Sequence, residues 1–186
     1  MSSASRLLLE DVDRSLLEGW TADPDPAYEL VLIDKPPPEA LLPPLVQALA
    51  AMNDAPVEDL EVEDEVLTAE RVEALEEMVV ASGQQRWTYL ALHPASGKGA
   101  GFTAVRWDPE RPAVVWQRGT AVVPRHRGHR IGRRLKATML LHVLERAAGA
   151  REVRTENAGT NAHMLATNDA LGFAPWAEQV VLQKHL

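Results

Sequence analysis

The chain has 186 residues, no cysteine and a formal net charge of −8; 46% of its residues are apolar and 25% charged. That length supports one domain with a full core, and the missing cysteine excludes disulfides, thiolate metal sites and a cysteine nucleophile. The acidic balance argues against broad nucleic-acid binding. No apolar run approaches the roughly 20 residues of a membrane span, and the N-terminal apolar stretch is too short for a secretory signal. A cytoplasmic protein is expected.

Residues 7–20 have the spacing of a short amphipathic helix, which "TADPDPA" (21–27) ends with two prolines. Residues 1–26 are therefore expected to be an N-terminal helical extension, and residues 27–186 the domain. "YELVLID" (28–34) reads as a strand. Residues 39–52 are helix-prone, with Pro43 and Pro44 near the start. "VEDLEVEDEV" (57–66) carries six acids and no base. Thr68 fits as N-cap of a helix over 69–82 that stops at Gly83. "RWTYLALH" (86–93), "GAGFTAVRW" (99–107) and "AVVWQRGTAVV" (113–123) are rich in aromatic and β-branched residues and read as a three-strand meander. Gly119 hints at a bulge or a close backbone approach in the third of these. Over 130–148, Ile131, Leu135, Met139 and Val143 recur every four residues, the stripe of a long helix. "REVRTEN" (151–157) reads as a strand, "TNAHMLATNDAL" (160–171) as a helix, and "WAEQVVLQKHL" (176–186) as a last strand. The order predicts an α/β fold of the α+β kind, with one mixed sheet. Its first half is largely antiparallel, and a parallel pair flanks the long helix.

Chemistry concentrates in "VVPRHRGHRIGRRLK" (122–136). A strand meets a proline, a basic glycine-containing loop follows, and a helix begins. The first N–H groups of a helix lack intrahelical partners and carry partial positive charge. Gly128 and Gly132 leave the backbone open, and Arg125, Arg127, Arg130 and Arg133 can fork onto phosphate oxygens. This is an anion site of the helix-start type. It has neither the spacing of a nucleoside-triphosphate loop nor that of a dinucleotide fingerprint. His126 and His129 lack further ligand-type neighbours, so no metal site is expected and solvent or phosphate contact is the plain reading.

The loop resembles the acetyl-coenzyme A (acetyl-CoA) signature of the GNAT acetyltransferases, (Q/R)-x-x-G-x-(G/A). Arg125 matches the first position and Gly128 the glycine; Arg130 stands where Gly or Ala is usual, a mild departure for a residue entering a helix. "NAHMLATNDALGF" (161–173) is similar to the family's second signature. The wording of both motifs is especially similar to actinobacterial members that occur as tandem domains. The resemblance covers residues 27–186. It implies a GNAT-like fold in which two parallel strands splay apart to hold pantetheine against the backbone of Val122 and Val123. Pyrophosphate would sit on the loop from Arg127 through Gly128, His129, Arg130 and Gly132 to Arg133. Asn161 and Asn157 would contact the arm, though Asn161 is equally a plain helix cap.

Acyl transfer to an amine needs a neutral nucleophile, a polarised carbonyl and a proton for the leaving thiolate. With no cysteine, direct transfer to a primary amine of a small molecule or peptide is the simplest course. The resemblance implies that the N–H near Val123 polarises the carbonyl. Asn168 occupies the place of the family's usual tyrosine acid, and its amide can only hydrogen-bond. Glu156 is the candidate base, or else a surface carboxylate. Trp87, Trp107 and Trp116 read as core or sheet-face residues, with one of them walling an acceptor pocket as the alternative. Tyr28 and Tyr89 read as packing residues. The acids of 57–66 form either a solvated face or a wall that attracts a cationic amine. The expected partners are acetyl-CoA and an amine, with neither nucleic acid nor membrane; a homodimer is compatible with the sequence. A non-catalytic acyl-CoA-binding module of the same fold is the alternative.

Overall fold

The computed structural model describes residues 2–22, 25–54, 66–158 and 162–179. In chain order the elements are β1 (Ser2–Leu8), α1 (Arg14–Ala22), β2 (Glu29–Ile33), α2 (Leu42–Ala50), α3 (Ala69–Ala81) and β3 (Gln85–His93). Then come β4 (Lys98–Trp107), β5 (Val114–Val122), α4 (Ile131–Arg146), β6 (Glu152–Ala158), α5 (Ala162–Ala170) and β7 (Ala174–Gln179). Seven strands form one mixed sheet in the order β2-β3-β4-β5-β6-β1-β7. The expected α/β class and meander hold.

The N-terminal segment is not a helical appendage. Ser2–Leu8 is a strand inserted between β6 and β7 and antiparallel to both, in register from Ser2 with Ala158 to Leu8 with Glu152. Its apolar residues suggested a helix from residue 7, but two neighbouring strand edges satisfy its backbone on both sides, and that pairing overrides local propensity. The helix begins only at Arg14, after Asp13 accepts a 3.0 Å hydrogen bond from Leu16 N–H. It then packs on α4.

The two sheet faces have separate cores. On one, α4 buries Leu140 and Val143 against Trp87, Val105, Trp107, Val115 and Val153, with Leu7 and Leu17 of the N-terminal segment. On the other, α2 and α3 bury Leu45, Ala48 and Val72 against Leu90 and Phe102. The approach of α2 to β4 needs Gly99: a Cβ there would lie 1.9 Å from the Pro44 carbonyl oxygen.

Two irregularities shape the centre of the sheet. The first is a bulge. Ala104 pairs with Gly119 and Val105 with Gln117, so Arg118 has no partner on β4. The Gln117 side-chain amide pins it, donating to Ala104 O at 2.8 Å and Thr103 Oγ1 at 3.1 Å. The second is a wedge. β5 and β6 pair in parallel only from Val114–Glu152 to Trp116–Arg154. Beyond that, β5 follows β4 to Val122 and β6 follows β1 to Ala158, so the strands separate.

Candidate active site

The wedge opens toward the start of α4, where a cavity of about 550 Å³ lies, within the usual range for small-ligand sites. Thr120, Ala121 and Val122 of β5 form one wall and Gly132, Arg133 and Lys136 of α4 another. His163, Met164 and Thr167 of α5 close it, and Asp54 and Arg127 stand near its rim. The first bond from α4 back to the loop is Arg134 N–H to Arg130 O, at 3.1 Å. The N–H groups of Ile131, Gly132 and Arg133 therefore lack intrahelical acceptors.

The loop is held by the side chains of its neighbours. His126 is buried; Tyr28 Oη lies 3.0 Å from its Nδ1, and Arg125 Nε donates to its Nε2 at 3.1 Å. The Arg125 contact makes Nε2 the bare nitrogen, so Nδ1 carries the hydrogen. Burial first, then Arg125 and the neighbouring cations, hold this imidazole below the usual histidine range. Arg127 Nε donates to Val122 O at 3.2 Å, and its terminal nitrogen pairs with Asp54 at 3.6 Å. Arg134 donates to Tyr28 O at 2.9 Å. Tyr28, distant in sequence, is thus the post on which the loop is mounted.

Of the residues expected at the cofactor, Val122, Arg127, Gly128, Arg130, Gly132 and Arg133 line the cavity. Several others do not. Arg125 is turned onto His126. His129 lines a neighbouring groove of about 510 Å³ and bonds Asp25 at 2.9 Å. Val123 cannot polarise a carbonyl, because its N–H is bonded to Ala100 O at 2.9 Å. Strand alternation turns the N–H groups of Thr120 and Val122 to the other edge, into the wedge. Asn168 is buried outside the cavity wall, with neither amide atom hydrogen-bonded among the described residues. Glu156 lines a different cavity, at the wedge apex. Asn161 and the side chain of Asn157 lie outside the described residues.

Arg130 is not an ordinary helix-entry residue. Its φ is +57°, the only positive value among the described non-glycine residues, where a side chain is strained by about 1–2 kcal/mol. Gly128 has φ +86°, and a Cβ there would meet nothing within 4 Å, so backbone conformation rather than space demands glycine. The signature also aligns two residues on, as Arg127-x-x-Arg130-x-Gly132, with Arg130 in the place of its first glycine and at a glycine-like φ. That register ends on a real glycine in the first turn of α4.

The residue sequence reasoning missed is Lys136. It is 2% exposed, on the cavity wall, with its Nζ 5.2 Å from the centre of the Phe173 ring. It makes no ion pair among the described residues, and burial alone brings its ammonium down to about 7. The available signal was position: Lys136 lies four residues before Leu140, on the flank of the buried stripe.

A profile of the acetyltransferase (GNAT) family matches residues 50–173. Among solved structures, a tandem GNAT protein from the clavulanic acid biosynthesis pathway, described as without AcCoA, superposes with a TM-score of 0.77 and 30% identity. It covers 94% of this chain, which spans 50% of that protein. An acetyltransferase of Trypanosoma brucei gives a TM-score of 0.62 at 18% identity, covering 84% of this chain and 99% of its own. An aminoglycoside acetyltransferase from an uncultured soil metagenomic sample gives 0.58 at 14%, covering 87% and 97%. No curated protein matches. The second and third likenesses carry the fold alone, while the matched profile spans most of the chain and contains the whole loop and the start of α4. The chain belongs to the GNAT acetyltransferase family.

Proposed function

We propose that this protein is an acetyl-CoA-dependent N-acetyltransferase that passes an acetyl group directly to a primary amine. The observation that carries the reading is a single cavity joining three features. They are the unpartnered N–H groups at the start of α4, the cations Arg127, Arg130 and Arg133, and the free edge of β5. These residues fit the cofactor: the arginines and the α4 N–H groups suit its phosphates, and Gly132 keeps the backbone accessible. Thr120 and Val122 N–H suit its amide-bearing arm. When bound, acetyl-CoA supplies the acetyl group as a thioester.

The chain's own residues then have separable tasks. The wedge-edge N–H groups stabilise negative charge developing on the acyl oxygen. Lys136 holds an exchangeable proton at Nζ on the cavity wall, near neutrality, where the family's usual tyrosine position offers only an amide. In this reading Glu156, which lines the separate cavity at the apex, is the base that takes a proton from the incoming amine. Because Asn168 replaces the tyrosine and lies off the cavity wall, a module that binds acyl-CoA without turnover remains the competing reading. Calorimetry with acetyl-CoA and thiol release with an amine panel test the two together. Binding with turnover supports the enzyme, binding without turnover the module, and no binding removes both.

A further inference from the structure

A second cavity, of about 630 Å³, lies at the other end of β5. Its walls carry Arg106, Arg111, Arg118, Trp116, Asp108 and Glu156. Arg106 and Trp116 are direct cross-strand partners and share a sheet face. Arg118 is the bulged residue, the one position on β5 whose side chain the bulge re-aims. Glu156 lies two residues beyond Arg154, the last residue of β6 paired to β5, so the cavity reaches the apex of the wedge.

The charges here are unusual for an acidic protein. Arg86, nearby, is paired with Glu76 at 2.8 Å. Arg106, Arg111 and Arg118 form no ion pair with any described residue. Arg106 is partly buried; burial first, then Arg118 and Arg86, lower its affinity for its proton, and Glu76 opposes them. Asp108 spends one carboxylate oxygen on the Glu110 N–H at 2.9 Å. Like charges crowded together with few counter-charges disfavour the empty site, and an anionic ligand relieves that repulsion. Trp116 is 39% exposed and offers an apolar wall beside the guanidinium groups.

We propose that this cavity binds the acceptor, and that the acceptor is an amine bearing a carboxylate, an amino acid or a close analogue. The inference rests on the acetyltransferase reading of the adjoining cleft. Arg106 and Arg118 take the carboxylate, and the amino group points to Glu156 and the wedge apex. There the nitrogen forms a bond to the acetyl carbon as the carbon–sulfur bond breaks. The neutral amine nitrogen loses one proton to Glu156 as it bonds, and the departing sulfur takes one from Lys136 Nζ on the wall of the cofactor cleft. The acceptor charge is opposite to that suggested by the acids of residues 57–66, a segment outside the described residues apart from Val66.

The test starts with calorimetry of the full chain and acetyl-CoA; failure there removes the acetyltransferase reading itself. Thiol release is then measured for the proteinogenic L-amino acids, each beside its decarboxylated amine. The proposal expects the acid to be preferred by about 10-fold or more in kcat/KM, the worth of one charged hydrogen bond. Arg118→Gln and Arg106→Gln should each move that ratio toward unity through KM, with acetyl-CoA affinity unchanged. Arg118 is exposed, so its variant keeps the test clean if Arg106→Gln folds poorly. If no amine turns over, calorimetry of the same pairs on the coenzyme A-loaded protein reads the preference directly. Decarboxylated amines that bind or react as well as the acids, or a ratio that Arg118→Gln leaves intact, overturn the proposal.

Discussion

Two arginine groups sit at the two ends of β5, and they are held in different ways. At the α4 end, Arg125, Arg127 and Arg134 each lean on a fixed acceptor: His126, Val122 O with Asp54, and Tyr28 O. At the apex end, Arg106 and Arg118 line one cavity and form no ion pair with a carboxylate among the described residues, Glu76 being paired with Arg86. A braced cation is a scaffold that shapes a loop whether or not a ligand is present. An unbraced pair has its charge available, at some expense in stability, for whatever enters. The buried cation of the α4 end is Lys136, an exception in that it carries no counter-charge among the described residues.

That exception offers the largest expected effect. In the folded protein Lys136 loses its proton near 7, against 10.5 when unfolded. Below about pH 7 both states are charged and the full burial penalty stands; it fades as pH rises and is gone near 10.5. Lys136→Met should therefore stabilise the ligand-free protein by up to about 5 kcal/mol at pH 6, with the gain vanishing toward pH 10.5. Denaturant melts across pH measure this, and a gain independent of pH would show that the lysine is compensated.

Blocking the braced end comes next. Gly132 is a helix position where an added Cβ would lie 3.6 Å from Val122 Cγ2, ordinary contact, so the fold tolerates a side chain. Gly132→Ala should leave the melting temperature nearly unchanged. It should weaken acetyl-CoA by about 100-fold, since two charge-assisted backbone bonds are worth roughly that much. Calorimetry showing wild-type affinity would move the phosphates away from α4.

Arg130→Gly separates strain from charge. Relieving the +57° φ should raise stability by about 1 kcal/mol, while acetyl-CoA binding weakens several-fold and becomes less salt-dependent. A smaller effect is expected for Tyr28→Phe, which removes the partner of His126 Nδ1 and not its packing. About 1 kcal/mol of stability should be lost, read by thermal denaturation, with acceptor selectivity untouched because the apex arginines do not use this post.

Much of this was legible in the chain because it depends on short-range rules. The four-residue stripe of α4, the Thr68 cap that accepts from Arg71 N–H at 3.2 Å, and the glycine-marked bulge in β5 are local patterns, and they hold. The loop proposed to bind the anion was legible as a structure for the same reason, since strand, glycine and helix start are consecutive.

The rest was decided by contacts between distant segments. Ser2–Leu8 is a strand only because β6 and β7 leave a slot for it. Val123 drops out as a polarising group because Ala100 takes its N–H. Lys136 is buried because α5 and Phe173 close over it, and Arg118 points into a cavity because β4 is one residue short opposite it. The sequence by itself determined where an anion can meet a helix start, because those N–H groups arise within a few consecutive residues. Only the tertiary structure decided which charges are braced and which are left open, because a charge's partners and its distance from water are set by chain segments far away in sequence.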